Sequence, residues 1–344
     1  MPMFVSPVIT STVRDSIMSI ATDTLNQNRA ELWWREVAQE EMGRGLEDIY
    51  TFALQAAKLQ DAGVRGQQVA YDTRQYLKHS VIHRHYNEAF ALTNADLTDL
   101  DSNRIQAATD WVRDITQDGL YNPQRLLADG INRGAAASDT TMAYDGLQYF
   151  STQHPVNGRD TVAGVYANRY VGTGYDISKT VSLDVAIANL SAARQKIKVL
   201  KDPSGKPRNL KVKAILAPSP LYPRLVQVIQ AQYAPGSSIG GGGGTQDVSM
   251  LSQALGFGRP LEAVELGTDF DSVNGSDTAY YILAEYSGPH APFVLSNREP
   301  FHLFENSMGN DAWMAILNQW EWVYTGRQAL MSMHPYLLHR FSPT

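Results

Sequence analysis

Apolar residues recur along this chain with two different periods, and the period changes in blocks. Val13, Ile17, Ile20 and Leu25, then Leu32, Trp33 and Val37 beyond an Asn26-Gln27-Asn28 break, predict helix over 13–40 that packs on something other than itself. Residues 59–92 switch to short alternating stretches: Gly63 and Gly66 precede Val69, Tyr71, Tyr76, Val81 and Tyr86 set among polar residues. Such alternation predicts a long two-stranded excursion. A lone ribbon is marginal in water, so it is expected to lie against another surface.

The clearest helix carries Ile105, Ala108, Val112 and Ile115 on one face. Asp101 or Ser102 can cap it, and Asp118-Gly119 is expected to end it. A second helical stretch runs from Pro123 through Leu126, Leu127 and Ile131 into the turn-rich "RGAAASD". Ser182 opens another amphipathic helix with Leu183, Ile187, Leu190, Ile197 and Leu200 on one stripe, which "KDPSGKP" stops. "LKVKAILAP" then reads as a strand with Leu210, Val212, Ala214 and Leu216 on one face, before a helix of Leu221, Leu225 and Val228. "LEAVEL", "AYYILAEY" and "APFVL" are strand candidates, and Trp320, Trp322 and Tyr324 alternate as on a strand near the close. Helix, strand and helix in this order indicate a layered α+β or α/β arrangement.

Composition narrows the classes. The 344 residues are 43% hydrophobic and 19% charged, enough for one large domain or two ordinary ones. No apolar run of about eighteen residues predicts a membrane-spanning helix. There are no cysteines, which excludes disulfides, thiol chemistry and cysteine-ligated metal sites. A net charge of -6 makes the whole molecule no electrostatic trap for nucleic acid. Charge is unevenly spread: Glu31, Glu36, Glu40, Glu41, Glu47 and Asp48 outnumber Arg35 and Arg44, whereas Lys58, Arg65, Arg74, Lys78 and Arg84 outnumber Asp61 and Asp72. The basic segment could meet a neighbour's acidic one, or both could be ordinary solvated faces.

Candidate chemistry is thin. Asp145, Ser151 and His154 are hydrolase residue types, but Ser151 lacks the flanking glycines of a nucleophile elbow, and known triads converge from distant positions. A turn at Asp145-Gly146 and an extended His154 before Pro155 fit a surface loop instead. His79, His83 and His85 cluster, yet no glutamate motif of a zinc helix lies between them. Asp96, Asp99 and Asp101 lack the glycine and terminal glutamate of a calcium loop and fit a helix N-terminus. The run Gly240, Gly241, Gly242, Gly243 and Gly244 lacks the Lys-Ser/Thr of a phosphate loop and reads as a flexible loop within a domain. The C-terminal tryptophans suit strand core or a subunit contact better than a sugar platform.

Several landmarks nevertheless fall in one order. "YNEAFALTNADL" (86–97) precedes the long helix and "YDGLQYFSTQHPV" (144–156) follows it. An amphipathic helix, "KDPSGKP", a strand and "APSPLYP" come next, and "GRQALMSMHPYLLHR" closes the chain. In these the chain resembles the major head subunits of Mu-like tailed bacteriophages, over most of residues 45–344. The resemblance implies an α+β HK97 capsid fold: N-terminal arm about 1–48, extended E-loop about 49–88, P-domain with a long spine helix 89–180, A-domain 181–298, and returning P-domain strands 299–344.

It further implies a non-enzymatic subunit, without cofactor or metal, that forms pentamers and hexamers in an icosahedral shell around double-stranded DNA. Implied partners are other copies of the chain, portal and scaffolding proteins and a possible decoration protein, in a virion assembled in the bacterial cytoplasm with no membrane. Arg74, Lys78 and Arg84 of the E-loop, with Glu36, Glu40 and Glu41 of the arm, are the expected assembly contacts, and the glycine run the expected axial loop. No built-in scaffold segment is recognisable, so a separate scaffold or an arm removed earlier is expected. The covalent crosslinking of the fold's namesake does not carry over, because no Lys and Asn can be paired by motif. Encapsulin-like cargo shells share the fold and are the related alternative; a soluble α/β enzyme would need polar groups converging in a pocket.

Overall fold

The computed structural model describes residues 18–21, 23–24, 32–53, 76–93, 102–135, 143–156, 161, 164–201, 205, 207–230, 234–235, 246–247, 257–285, 291–305 and 319–343. Its strands are β1 (Ala38–Met42), β2 (Glu47–Ala53), β3 (Tyr76–Ile82), β4 (Arg84–Thr93), β5 (His154–Pro155), β6 (Val165–Tyr166), β7 (Arg169–Val171), β8 (Lys211–Ala217), β9 (Ala234–Pro235), β10 (Gln246–Asp247), β11 (Arg259–Glu262), β12 (Tyr280–Glu285), β13 (Phe293–Glu305), β14 (Gln319–Ser332) and β15 (Leu338–Ser342). The longer helices are α1 (Ser102–Arg133), α2 (Leu183–Lys198) and α3 (Tyr222–Gln230).

Two sheets organise these elements. One has the order β1-β13-β14-β4, with β1 parallel to β13 and the other pairs antiparallel. The other is mixed, in the order β11-β8-β12-β15-β7. The five-stranded sheet is covered on both faces, which explains why β8 and β12 read as nearly continuous apolar runs. On one face Val212, Ile215, Tyr280, Ile282 and Phe341 pack with Leu190, Ile197, Leu225 and Val228 of α2 and α3. On the other, Ala214, Leu216, Tyr281 and Leu283 meet Leu127, Ala128 and Ile131 of α1, with Trp33, Trp34, Tyr149 and Phe150. The N-terminal half of α1 instead packs Ala108 and Val112 against Leu92, Trp322 and Tyr324 of the four-stranded sheet.

Several expectations hold locally. Ser182 caps α2, its side chain accepting from the Val185 amide. "AYYILAEY" and "APFVL" contain β12 and the start of β13, and Trp322 with Tyr324 is strand core. Four expectations are corrected. Helix stops at Val37, because Ala38–Met42 runs as a strand bonded to Phe293–Asn297, and these backbone bonds override the helix preference of Gln39, Glu40 and Glu41. Val212 lies on the opposite face from Ala214 and Leu216, since the register with β12 shifts at Lys213 and the bulge reverses the alternation. "LEAVEL" is strand only through Glu262 and then a 3-10 turn over Val264–Leu266.

The fourth concerns α1, which passes through Asp118-Gly119 and Pro123 without ending. Gly119 is not a stop signal: a Cβ there would collide with the Tyr324 ring of β14. Pro123 removes the amide that would bond the Gly119 carbonyl, at a cost of about 3 kcal/mol. Complete burial of Leu127 and Ile131, worth about 2 kcal/mol each, offsets that loss.

Replacing Gly119 by Ala should therefore lower unfolding free energy by about 1–3 kcal/mol through overpacking. In an unconstrained helix the same change would stabilise by up to about 1 kcal/mol. Denaturant unfolding of the subunit distinguishes the two, and a more stable variant would contradict the packing assigned to this glycine.

Candidate functional site

Among the described residues an exposed two-stranded ribbon stands out, in which Glu47–Ala53 pairs antiparallel with Tyr76–Ile82. Its outgoing strand lies upstream of the stretch in which alternation suggests it; the sequence between, including Arg74, lies outside the described residues. Directly opposed residues share a face, so Asp48, Tyr50, His79 and Val81 look one way and Glu47, Ile49, Lys78, Ser80 and Ile82 the other. Tyr50 and Val81 pack on the large core, and burial lowers the pKa of His79. The opposite face is bare: Ile49 and Ile82 are 64% and 66% exposed, and nearby Leu46 and Met42 are 66% and 77% exposed. Four large apolar side chains are thus exposed on or near one strand pair, and exposed apolar surface that is contiguous marks interaction sites.

The predicted contact residues divide by environment. Lys78 is exposed on the bare face opposite Thr51, and Arg84 is exposed at the start of β4. Glu36 is engaged within its own chain, by Lys213 Nζ at 3.0 Å and Arg259 at 2.7 Å. Glu40 accepts from Asn297 Nδ2 at 3.0 Å, and Glu41 pairs in register with Ser296. Gly240, Gly241, Gly242, Gly243 and Gly244, together with Asp96, Asp99 and Asp101, lie outside the described residues.

Beneath the ribbon a cleft of about 670 Å³ opens between β3, α1 and the 143–149 loop. Its polar lining includes His79, Arg84, Asp129 and Arg133, and the last two pair with each other at 2.6 Å. Among the described residues no three His, Asp or Glu side chains are grouped to hold a metal. His85 Nε2 is hydrogen-bonded to Thr325 Oγ1 at 2.8 Å, and His83 is buried at the ribbon's root.

The loop with the hydrolase residue types is a structural clamp. Tyr149 and Phe150 are buried, and the Phe150 amide donates to Gly134 O at 2.8 Å, fastening the loop to the end of α1. His154 Nδ1 donates to Asp145 Oδ2 at 2.7 Å and Nε2 donates to Tyr149 O at 3.0 Å. Both ring nitrogens face acceptors, and the imidazole pairs with a carboxylate almost as buried as itself. Ser151 Oγ accepts from the Gln153 amide and belongs to a turn. No ring nitrogen remains to act as a base toward serine.

His339 lies in the same block. Burial pushes it down to about 4, opposed by its hydrogen bond to Tyr336 O and reinforced by the charge on His154. A folded pKa below the unfolded value near 6.5 means that acid is taken up first by the unfolded chain. The stability from neutral His339 is complete above about pH 6.5 and is lost as pH falls toward 4.

Sequence similarity is silent about this chain: no known family profile matches it, and no curated protein matches it. Structural similarity is extensive. The capsid of Myoviridae phage XM1 aligns with TM-score 0.50 at 10% identity, covering 92% of this chain and 94% of that one. The procapsid of bacteriophage JBD30 aligns at 0.49 and 13% identity, over 98% of this chain and 76% of that one. A virus-like particle from Pyrococcus furiosus aligns at 0.47 and 9%, over 95% and 98%. The likeness to the XM1 capsid, over nine-tenths of both chains, shows the fold: an α+β chain of the HK97 capsid type.

Replacing His339 by Gln should flatten the decline of stability between pH 6.5 and 4, read from urea unfolding at a series of pH values. An unchanged acid limb would assign the decline to other groups.

Proposed function

We propose that this chain is the major shell subunit of a tailed-phage head of the Mu-like type. In this reading it assembles as pentamers and hexamers into an icosahedral shell around double-stranded DNA, and its role is structural, not catalytic. The observation that carries the reading is the likeness over nearly the full length of the XM1 capsid chain. The bare apolar face of the ribbon supports it, because exposed apolar surface of this kind is unfavourable in water until a partner covers it. The Mu-like subtype rests on the sequence landmarks alone.

In this assignment residues 1–48 are the arm, 49–88 the E-loop, 89–180 the P-domain with α1 as spine, 181–298 the A-domain and 299–344 the returning P-domain strands. The E-loop overlies an adjacent copy, with Arg74, Lys78 and Arg84 directed at acidic groups there. Glu36 already holds two cations of its own chain, so the matching acids are assigned to Glu40 and Glu41. The run Gly240–Gly244 serves as a flexible axial loop. A net charge of -6 suits a wall that encloses DNA without gripping it. Portal, scaffolding and decoration proteins are the further partners, and the virion is the location.

Reversing Arg74 and Lys78 to Glu together should cut the yield of closed particles at least tenfold while circular dichroism of the unassembled subunit stays unchanged. Normal particle yield at physiological salt, counted by electron microscopy, would overturn the assignment of these side chains.

A further inference from the structure

The ribbon leaves the body at one compact polar node. Ser296 of β13 is fully buried, and its Oγ donates to Asp48 Oδ2 of β2 at 2.7 Å. His83, between β3 and β4, places Nε2 2.9 Å from Ser296 Oγ and 3.3 Å from Asp48 Oδ2, and Nδ1 3.2 Å from Leu46 O. The remaining Asp48 oxygen accepts from the Arg44 and Gly45 amides at 3.1 and 3.2 Å. A Cβ on Gly43 would lie 2.6 Å from His83 Nε2, 2.7 Å from Asp48 Oδ2 and 2.8 Å from Ser296 Oγ, so only glycine lets the chain pass. One imidazole thereby joins both ribbon strands, the turn that precedes them and the four-stranded sheet.

Counting donors assigns its charge. Leu46 O can only accept, so Nδ1 must donate. The single Ser296 proton goes to Asp48, which leaves Nε2 facing lone pairs, so it must donate as well. Burial pushes the Asp48 carboxyl up, but the Ser296, Arg44 and Gly45 hydrogen bonds and the His83 charge more than offset this and hold it below its ordinary range. The charged and titratable groups around the imidazole are Asp48 and Tyr50 of β2, Glu41 of β1, Arg44 of the turn and Arg84 next in sequence. Loss of the proton would leave one ring nitrogen against an acceptor in a space closed to water, and would leave Asp48 without its cation.

We propose that His83 is a positioning residue: its imidazolium, clamped by Asp48, Ser296 and Leu46 O, sets the angle at which the ribbon leaves the body and releases it on deprotonation. The mount is firm while the imidazolium persists and loosens once its proton is lost. The consequence for assembly rests on the shell reading, because a ribbon that reaches a neighbour must be aimed. The mount itself is a property of the single subunit, and it is tested there.

Amide hydrogen exchange of unassembled subunits, expressed as protection factors, tests the mount. At pH 6 His83→Gln should lower protection of residues 46–53 and 76–83 about tenfold, with β12 unchanged. Wild-type protection of the ribbon should fall toward the variant's as the pH is raised from 6 and the imidazolium is lost, and the variant's should not depend on pH. Ribbon protection equal in the two proteins, or flat with pH in the wild type, would overturn the proposal. If His83→Gln also loses β12 protection, nitrogen-15 spectra of histidine-labelled wild-type protein decide without a substitution. Both His83 ring nitrogens protonated at pH 6 support the mount, and a neutral ring at pH 6 overturns it.

Discussion

Both sheets close on one helix. Ser102–Arg133 spans about 48 Å at helical rise, and its two halves serve different cores. Ala108 and Val112 complete the cluster of Leu92, Trp322 and Tyr324, while Leu127, Ala128 and Ile131 complete the cluster of Leu216, Tyr281 and Leu283. Continuity through Gly119 and Pro123 therefore adds a second link between the sheets, beside the direct packing of Phe293, Val294, Leu295 and Met331 into the clusters of the five-stranded sheet. The close approach of Tyr324 to Gly119 and the burial beyond Pro123 hold that continuity.

A rigid body of this kind gives meaning to the peripheral parts. The ribbon is fixed at its root by the hydrogen-bonded node of His83, Asp48 and Ser296 and is bare along its outer face. The 143–156 loop is fastened to the end of α1 by buried aromatics and held by the buried His154–Asp145 pair. In a shell, one sequence must accept neighbours at slightly different angles, which calls for an invariant centre and adjustable margins. The exposed apolar side chains sit at such a margin, beside the exposed Lys78.

Legibility in the sequence followed the range of the interactions. The 3.6-residue stripe of α2 and its Ser182 cap, and the continuous apolar runs of β8 and β12, are local signals, and they predicted the elements that form. Met42, Leu46, Ile49 and Ile82 were readable as apolar residues, but not as residues left in water, because exposure depends on what the rest of the chain covers. Gly119 reads as a stop and Ala38–Met42 as helix until β14 and β13 are in place, two non-local partners that outweigh propensity. The node was out of reach: Asp48 and Ser296 are 248 positions apart, and only Gly43, in "MGRGL", hinted at a tight passage. Asp145 and His154 stood out for their chemistry, and the structure assigns them to packing instead.

The central claim is that a body joined by one continuous helix builds a closed shell. Cryo-electron microscopy of the chain expressed with its scaffolding protein addresses it most directly. The account predicts closed particles of pentameric and hexameric capsomers, each subunit showing Ser102–Arg133 as an unbroken rod of about 48 Å. Monomers or dimers alone, or subunits whose helix is interrupted at Gly119, would contradict it.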